Sequence, residues 1–171
     1  TLIGGRYHEI YVQSLSYQEF LLFHELEDND DALSKYINYG GLPGLKQVGL
    51  DDEEFVWDYI RAVFHTVMLK DIVERNNIRN VSFLNTLLRY FADTIGKLSS
   101  LNNISKFMKS QGLDVSVKSI AAYLNYFRDA YLLLTVDRFD IHGKKLLESN
   151  EKIYFGDVGL RNLIAGGERQ G

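Results

Sequence analysis

The chain has 171 residues, 19 Lys+Arg against 23 Asp+Glu for a formal charge of −4, 46 % apolar residues and no cysteine. These values exclude disordered, collagenous and disulfide-stapled classes. The missing cysteines exclude thiol catalysis and thiolate metal sites and fit a reducing, cytoplasmic setting. No apolar run reaches the ~18 residues of a membrane span, so no membrane partner is expected. A chain that opens on Thr1 rather than Met is expected to be cut from a longer one.

Charge divides the chain. Residues 1–79 hold 7 basic and 14 acidic residues, a balance of −7. Residues 80–157 hold 10 basic and 8 acidic, a balance of +2, and residues 158–171 add +1. The asymmetry predicts two units, 1–79 and 80–157, followed by a short truncated tail.

The first element is a short strand over Tyr7–Val12, with Ile10 and Val12 on one face. Ser16 and Glu19 form a capping box for a helix over Tyr17–Leu26. After an acidic loop, Asp31 is expected to cap a helix over Ala32–Tyr39. Gly40-Gly41-Leu42-Pro43-Gly44 then ends it. A long helix is predicted over Asp52–Asn76. Phe55, Tyr59, Val63, Val67 and Ile72 recur at helical spacing, flanked by Val56, Ile60, Phe64 and Met68, which predicts burial on two sides.

From residue 82 the pattern becomes helix, short extended piece, helix, turn, helix, hairpin. Ser82 is expected to cap a helix to Ile95, stopped by Gly96. Leu98-Ser99-Ser100 is extended, and Asn102 or Asn103 caps Ile104–Gln111. Ser116 caps a helix to Ala130. Tyr131–Val136 and Lys152–Phe155 are strands around a polar loop at Asp140–Asn150. This is the element order of a winged helix-turn-helix with a two-stranded wing. The fold expected is therefore mainly α, with minor β.

Enzyme signatures are sparse. Gly96-Lys97 and Gly143-Lys144-Lys145 both lack the preceding Gly of a phosphate loop. Gly40–Gly44 is not a dinucleotide fingerprint. His8, His24, His65 and His142 are too dispersed to ligate a metal together, and the acidic run at residues 28–31 has Leu33 where a calcium loop needs Gly.

On a helix-turn-helix, the second helix meets base edges while flanking basic groups meet phosphates. The candidates here are Ser116, Lys118, Ser119, Asn125 and Arg128 on that helix, Lys106 and Lys109 on the preceding one, and Lys144 and Lys145 at the wing tip. Asn125 suits an adenine edge, and Lys118 a phosphate or guanine. Double-stranded DNA is thus a candidate partner. A balance of only +2 is weak for phosphate neutralisation, which leaves protein docking or homo-oligomerisation as the rival use. A free-standing transcription factor is a third reading.

Five segments stand out together: Gly5-Arg6-Tyr7, Leu15-Ser16-Tyr17-Gln18-Glu19-Phe20, Gly40-Gly41-Leu42-Pro43, Asp71-Ile72-Val73-Glu74-Arg75, and Tyr154-Phe155-Gly156-Asp157-Val158-Gly159-Leu160-Arg161-Asn162. In this order they resemble a large prokaryotic family of predicted AAA-type ATPases that pair an N-terminal P-loop domain with a C-terminal region containing a winged helix. Two departures are Ser14, where many members have Pro, and Val158, where Thr is commoner.

The resemblance implies that residues 1–79 hold the last strand of an ATPase core and its helical lid. The chain's own ATPase domain, binding ATP and Mg, would lie before Thr1. The resemblance also makes Arg6 a candidate arginine finger, and Gly41 and Pro43 candidate adenine contacts. Without a phosphate-cradling loop, the chain alone is expected not to hydrolyse ATP. Asp71 and Arg75, four apart, read as an intrahelical ion pair.

Overall fold

The computed structural model describes residues 10–137 and 151–166. The chain is mainly helical, with a small three-stranded antiparallel sheet. The helices are α1 (Tyr17–His24), α2 (Asp30–Tyr39), α3 (Leu45–Val48), α4 (Glu53–Thr66), α5 (Val81–Asp93), α6 (Leu101–Ser110), α7 (Val117–Asp129) and α8 (Val158–Ala165). The strands are β1 (Leu98–Ser99), β2 (Leu133–Asp137) and β3 (Glu151–Phe155). Among the described residues no helix is long and apolar enough to cross a membrane.

Local chemistry sets most boundaries. Ser16 caps α1 through the expected box: its hydroxyl takes the Glu19 N–H, and the Glu19 carboxylate takes the Ser16 N–H at 2.8 Å. Three other caps lie earlier than the sequence suggests. Asn29, not Asp31, caps α2 by accepting from Ala32 N at 2.9 Å. Asp30 and Asp31 then fall in the first turn, where negative charge suits the helix N-terminus. Asn80, not Ser82, caps α5, and Ser100, not Asn102 or Asn103, caps α6. In each case another capping-type side chain stood two or three positions upstream, and it took the extended or non-helical backbone that a cap requires.

The long helix is also not uniform. α4 leads directly into a π-helical segment, Val67–Glu74. Wider backbone bonds run out of it, from Arg75 N to Lys70 O and from Ile78 N to Val73 O. The buried stripe is Val56, Ile60, Met68 and Ile72, whereas Phe55 is 63 % exposed. Asp71 and Arg75 are both exposed, and no ion pair joins them.

Of the expected first strand, residues 7–9 lie outside the described residues. Ile10–Val12 has no ladder among the described residues, and Ile10 and Val12 are exposed. The sheet order is β1-β3-β2. Leu133 pairs with Phe155, Thr135 with Ile153, and Leu98 with Lys152. Ile153 and Phe155 point into the core while Lys152 and Tyr154 face out, the period-two alternation of a one-sided sheet. The expected loop at residues 140–150 lies outside the described residues.

One apolar cluster runs from Phe20 through Ile60, Ile72, Phe83, Phe91 and Phe127 to Leu160. It crosses the expected boundary at residues 79 and 80 without a break. Within the segment read from sequence as a tail, Val158–Ala165 forms α8, which packs on α2, α4 and α5.

His24 ends α1 with its ring 4.4 Å from that of Phe20, and its Nε2 is buried without a partner among the described residues. Burial, with the Lys46 charge second, holds its pKa below the ordinary 6.5. The unfolded chain therefore takes up a proton first as pH falls. The contribution is complete above pH 6.5 and is lost as pH drops through the folded value. We expect melting temperature to fall between pH 7 and pH 5 in the native protein and to fall less in His24→Phe. Calorimetry at the two pH values checks this; equal slopes would refute it.

Candidate functional site

Three of the five recurring segments meet at one place. Asp157 lies between β3 and α8 and is only 6 % exposed. One carboxylate oxygen caps α8 by accepting from Leu160 N at 3.1 Å, and the other accepts from Gly41 N at 2.8 Å. Gly41 in turn accepts from Leu15 N at 2.8 Å, and the Leu15 carbonyl accepts from Tyr36 Oη at 3.0 Å. Ser14 donates its hydroxyl to Gly156 O at 2.7 Å, a bond that the proline of the resembled family has no donor to make. Burial pushes the Asp157 carboxyl above its ordinary range, against the backbone N–H groups that favour its charged form.

α8 carries two more fastenings. Asn162 Nδ2 donates to Ile37 O and Asn38 O at 2.8 and 3.0 Å, satisfying carbonyls in the last turn of α2. The Arg161 guanidinium donates to Ala92 O, in the last turn of α5, at 3.0 and 3.2 Å. The C-terminal carbonyls of a helix lack intrahelical partners, so adjacent side chains of α8 serve two separate helices. Asp157, Arg161 and Asn162 were not among the candidates from sequence. The available signal was Asp before an apolar run, an ordinary N-cap.

The candidate residues distribute unevenly. Arg6, Lys144 and Lys145 lie outside the described residues. Both polar backbone groups of Gly41 are engaged within the chain, and a Cβ there would collide with the Leu15 carbonyl. Pro43 stands in the turn before α3, where its carbonyl accepts from Lys46 N.

On α7, Ser116 is the N-cap and its hydroxyl meets that of Ser119 at 2.9 Å, so both are engaged locally. Lys118, Ala122, Asn125 and Asp129 follow the spacing of one helix stripe. Of these, Lys118, Asn125 and Asp129 are exposed. Arg128 and Asn125 border a cleft of about 100 Å³ shared with Ser99 and Glu151. On α6, Lys106 is exposed, and Lys109 lies 3.4 Å from Asp114 across the turn. Ser105, buried, donates to Val115 O at 3.0 Å and so fixes the α6–α7 turn from inside. Among the described residues no group of acidic and histidine side chains is placed to hold a metal ion.

A family model described as "Domain of unknown function (DUF8612)" matches residues 30–170. The chain belongs to the DUF8612 family. The match takes in the Gly41–Asp157 bond, the α6–α7 turn and α8, so the DUF8612 domain includes both charge-distinct regions. An uncharacterized protein of Haemophilus influenzae is 31 % identical over 170 residues, covering 97 % of this chain and 42 % of that protein. An uncharacterized protein of Methanocaldococcus jannaschii is 26 % identical over 168 residues, covering 92 % of this chain and 37 % of that protein. The chain spans about two-fifths of the length of these curated relatives. No solved structure matches it.

Proposed function

We propose that this chain is part of a longer AAA-type ATPase, with residues 80–157 forming a winged helix that docks on duplex DNA. The observation that carries the reading is topological. α5, β1, α6, α7, β2 and β3 follow in order, and the sheet order is β1-β3-β2. A tight α6–α7 turn and an exposed α7 stripe go with it. The ATPase assignment rests on the five recurring segments and is supported by the greater length of the relatives. In this reading residues 1–79 are the last strand of the ATPase core and its helical lid, and the Asp157 node couples lid and winged helix. A nucleotide-dependent movement of one would then bear on the other.

A second reading, docking of a protein without nucleic acid, is favoured by two observations. Lys109 faces Asp114, and Asp129 shares the stripe of Lys118 and Asn125. Both reduce the positive field that DNA affinity requires.

Fluorescence anisotropy with a labelled DNA duplex at 50 and 200 mM salt separates the two. The DNA reading expects binding that weakens steeply with salt, and that Lys118→Ala with Lys106→Ala weakens further with a shallower salt slope. Absence of binding at 50 mM salt would leave the protein-docking reading.

A further inference from the structure

A groove of about 710 Å³ opens where α4 and the π segment, α5 and the end of α8 come together. Neither reading of residues 80–157 uses it. Its volume falls in the range of small-molecule sites, and its apolar wall includes Phe64, Met68, Leu88 and Leu163.

Two guanidinium groups, Arg61 and Arg89, line it beside the His65 imidazole and one carboxylate, Asp93. The two arginines come from different helices. Arg61 lies on α4, where Asp58 pairs with its guanidinium, and Arg89 lies exposed on α5. Guanidinium groups from two walls suit a planar carboxylate or a phosphate.

The π segment supplies Met68, Leu69 and Val73 to the same wall. Extended π geometry is rare and concentrates at functional sites. Here it runs over Val67–Glu74, directly along the groove.

We propose that this groove binds a small amphipathic anion. A phosphate or carboxylate head lies between Arg61 and Arg89, and an acyl or aryl body lies on Phe64, Met68 and Leu163. The proposal is independent of DNA binding by residues 80–157.

The test is a titration of the whole chain with 8-anilinonaphthalene-1-sulfonate, an aromatic body with a sulfonate head, followed by competition with decanoate and with AMP. We expect saturable binding with Kd on the order of 10–100 μM, displaced by at least one competitor. Displacement by decanoate identifies an acyl body, and displacement by AMP a nucleoside phosphate. Arg89→Glu should weaken binding by about tenfold, the loss of one charge-assisted contact, while leaving the melting temperature close to native. Leu69→Trp, at a half-exposed position on the rim, should weaken it by crowding the groove. Amide shifts in the NMR spectrum should cluster in residues 61–73, 81–93 and 163–166. The proposal fails if neither competitor displaces the probe, if Arg89→Glu binds as tightly as the native chain, or if the shifts lie elsewhere.

Discussion

Asp157→Ala is expected to lower the unfolding free energy by about 2–4 kcal/mol, from two separate losses. Removing an N-cap acceptor costs about 0.5–2 kcal/mol, and here it frees Leu160 N at the start of α8. Leaving a buried donor without its acceptor costs about 1–3 kcal/mol more; that donor is the buried N–H of Gly41. For a chain of this length the melting temperature should fall by about 6–12 °C. Asp157→Ser separates the terms. Serine caps well but is too short to keep both bonds, so it should restore only the capping share. Hydrogen exchange at the Gly41 amide should be slow in the native chain and fast in both variants. A loss below 1 kcal/mol with Gly41 still protected would mean that this carboxylate does not hold the two regions together. Because one apolar cluster spans the boundary at 79 and 80, denaturation should remain one transition in all three proteins.

The sequence disclosed the elements far better than the way they are fastened. Capping residues and apolar periodicity are local, so the starts of α1 and α7 were legible to the residue, and the caps of α2, α5 and α6 were missed by two or three positions. The π segment was hidden because Val67–Glu74 carries the same apolar density as the α-helix before it. α8 was hidden because its apolar residues do not describe a conspicuous stripe. Its role comes from Asp157, Arg161 and Asn162 reaching carbonyl and amide groups more than 60 positions away. The recurring segments drew attention to this place without giving its chemistry. Gly41 read as an adenine contact; in the structure its backbone lies close against the Leu15 carbonyl. The nucleic-acid candidates were chosen by their place on the helix-turn-helix and by polar character, without their local partners. Only the structure shows that Ser116 and Ser119 bond each other and that Asp114 stands beside Lys109.

Gly159→Ala sets two known effects against each other, and the geometry decides between them. Alanine is favoured over glycine inside a helix by about 1 kcal/mol, so propensity alone would make the variant more stable. The Gly159 Cα, however, rests against the end of α2, and a Cβ there would collide with the Tyr39 carbonyl oxygen. The obstacle is backbone, which cannot rotate aside as a side chain would, so α8 must withdraw from α2. That withdrawal strains the Asn162 bonds to Ile37 O and Asn38 O. Overpacking of this kind costs about 1–3 kcal/mol, occasionally more, and we expect a net loss of about 2 kcal/mol in urea denaturation. Asn162→Ala releases the same helix end. Once those bonds are gone α8 is free to move, and Gly159→Ala should then cost less. A double-mutant cycle should therefore show coupling above about 0.5 kcal/mol. Strict additivity, or a stabilised Gly159→Ala, would show that the α2–α8 approach is loose and that the glycine at 159 serves something other than this contact.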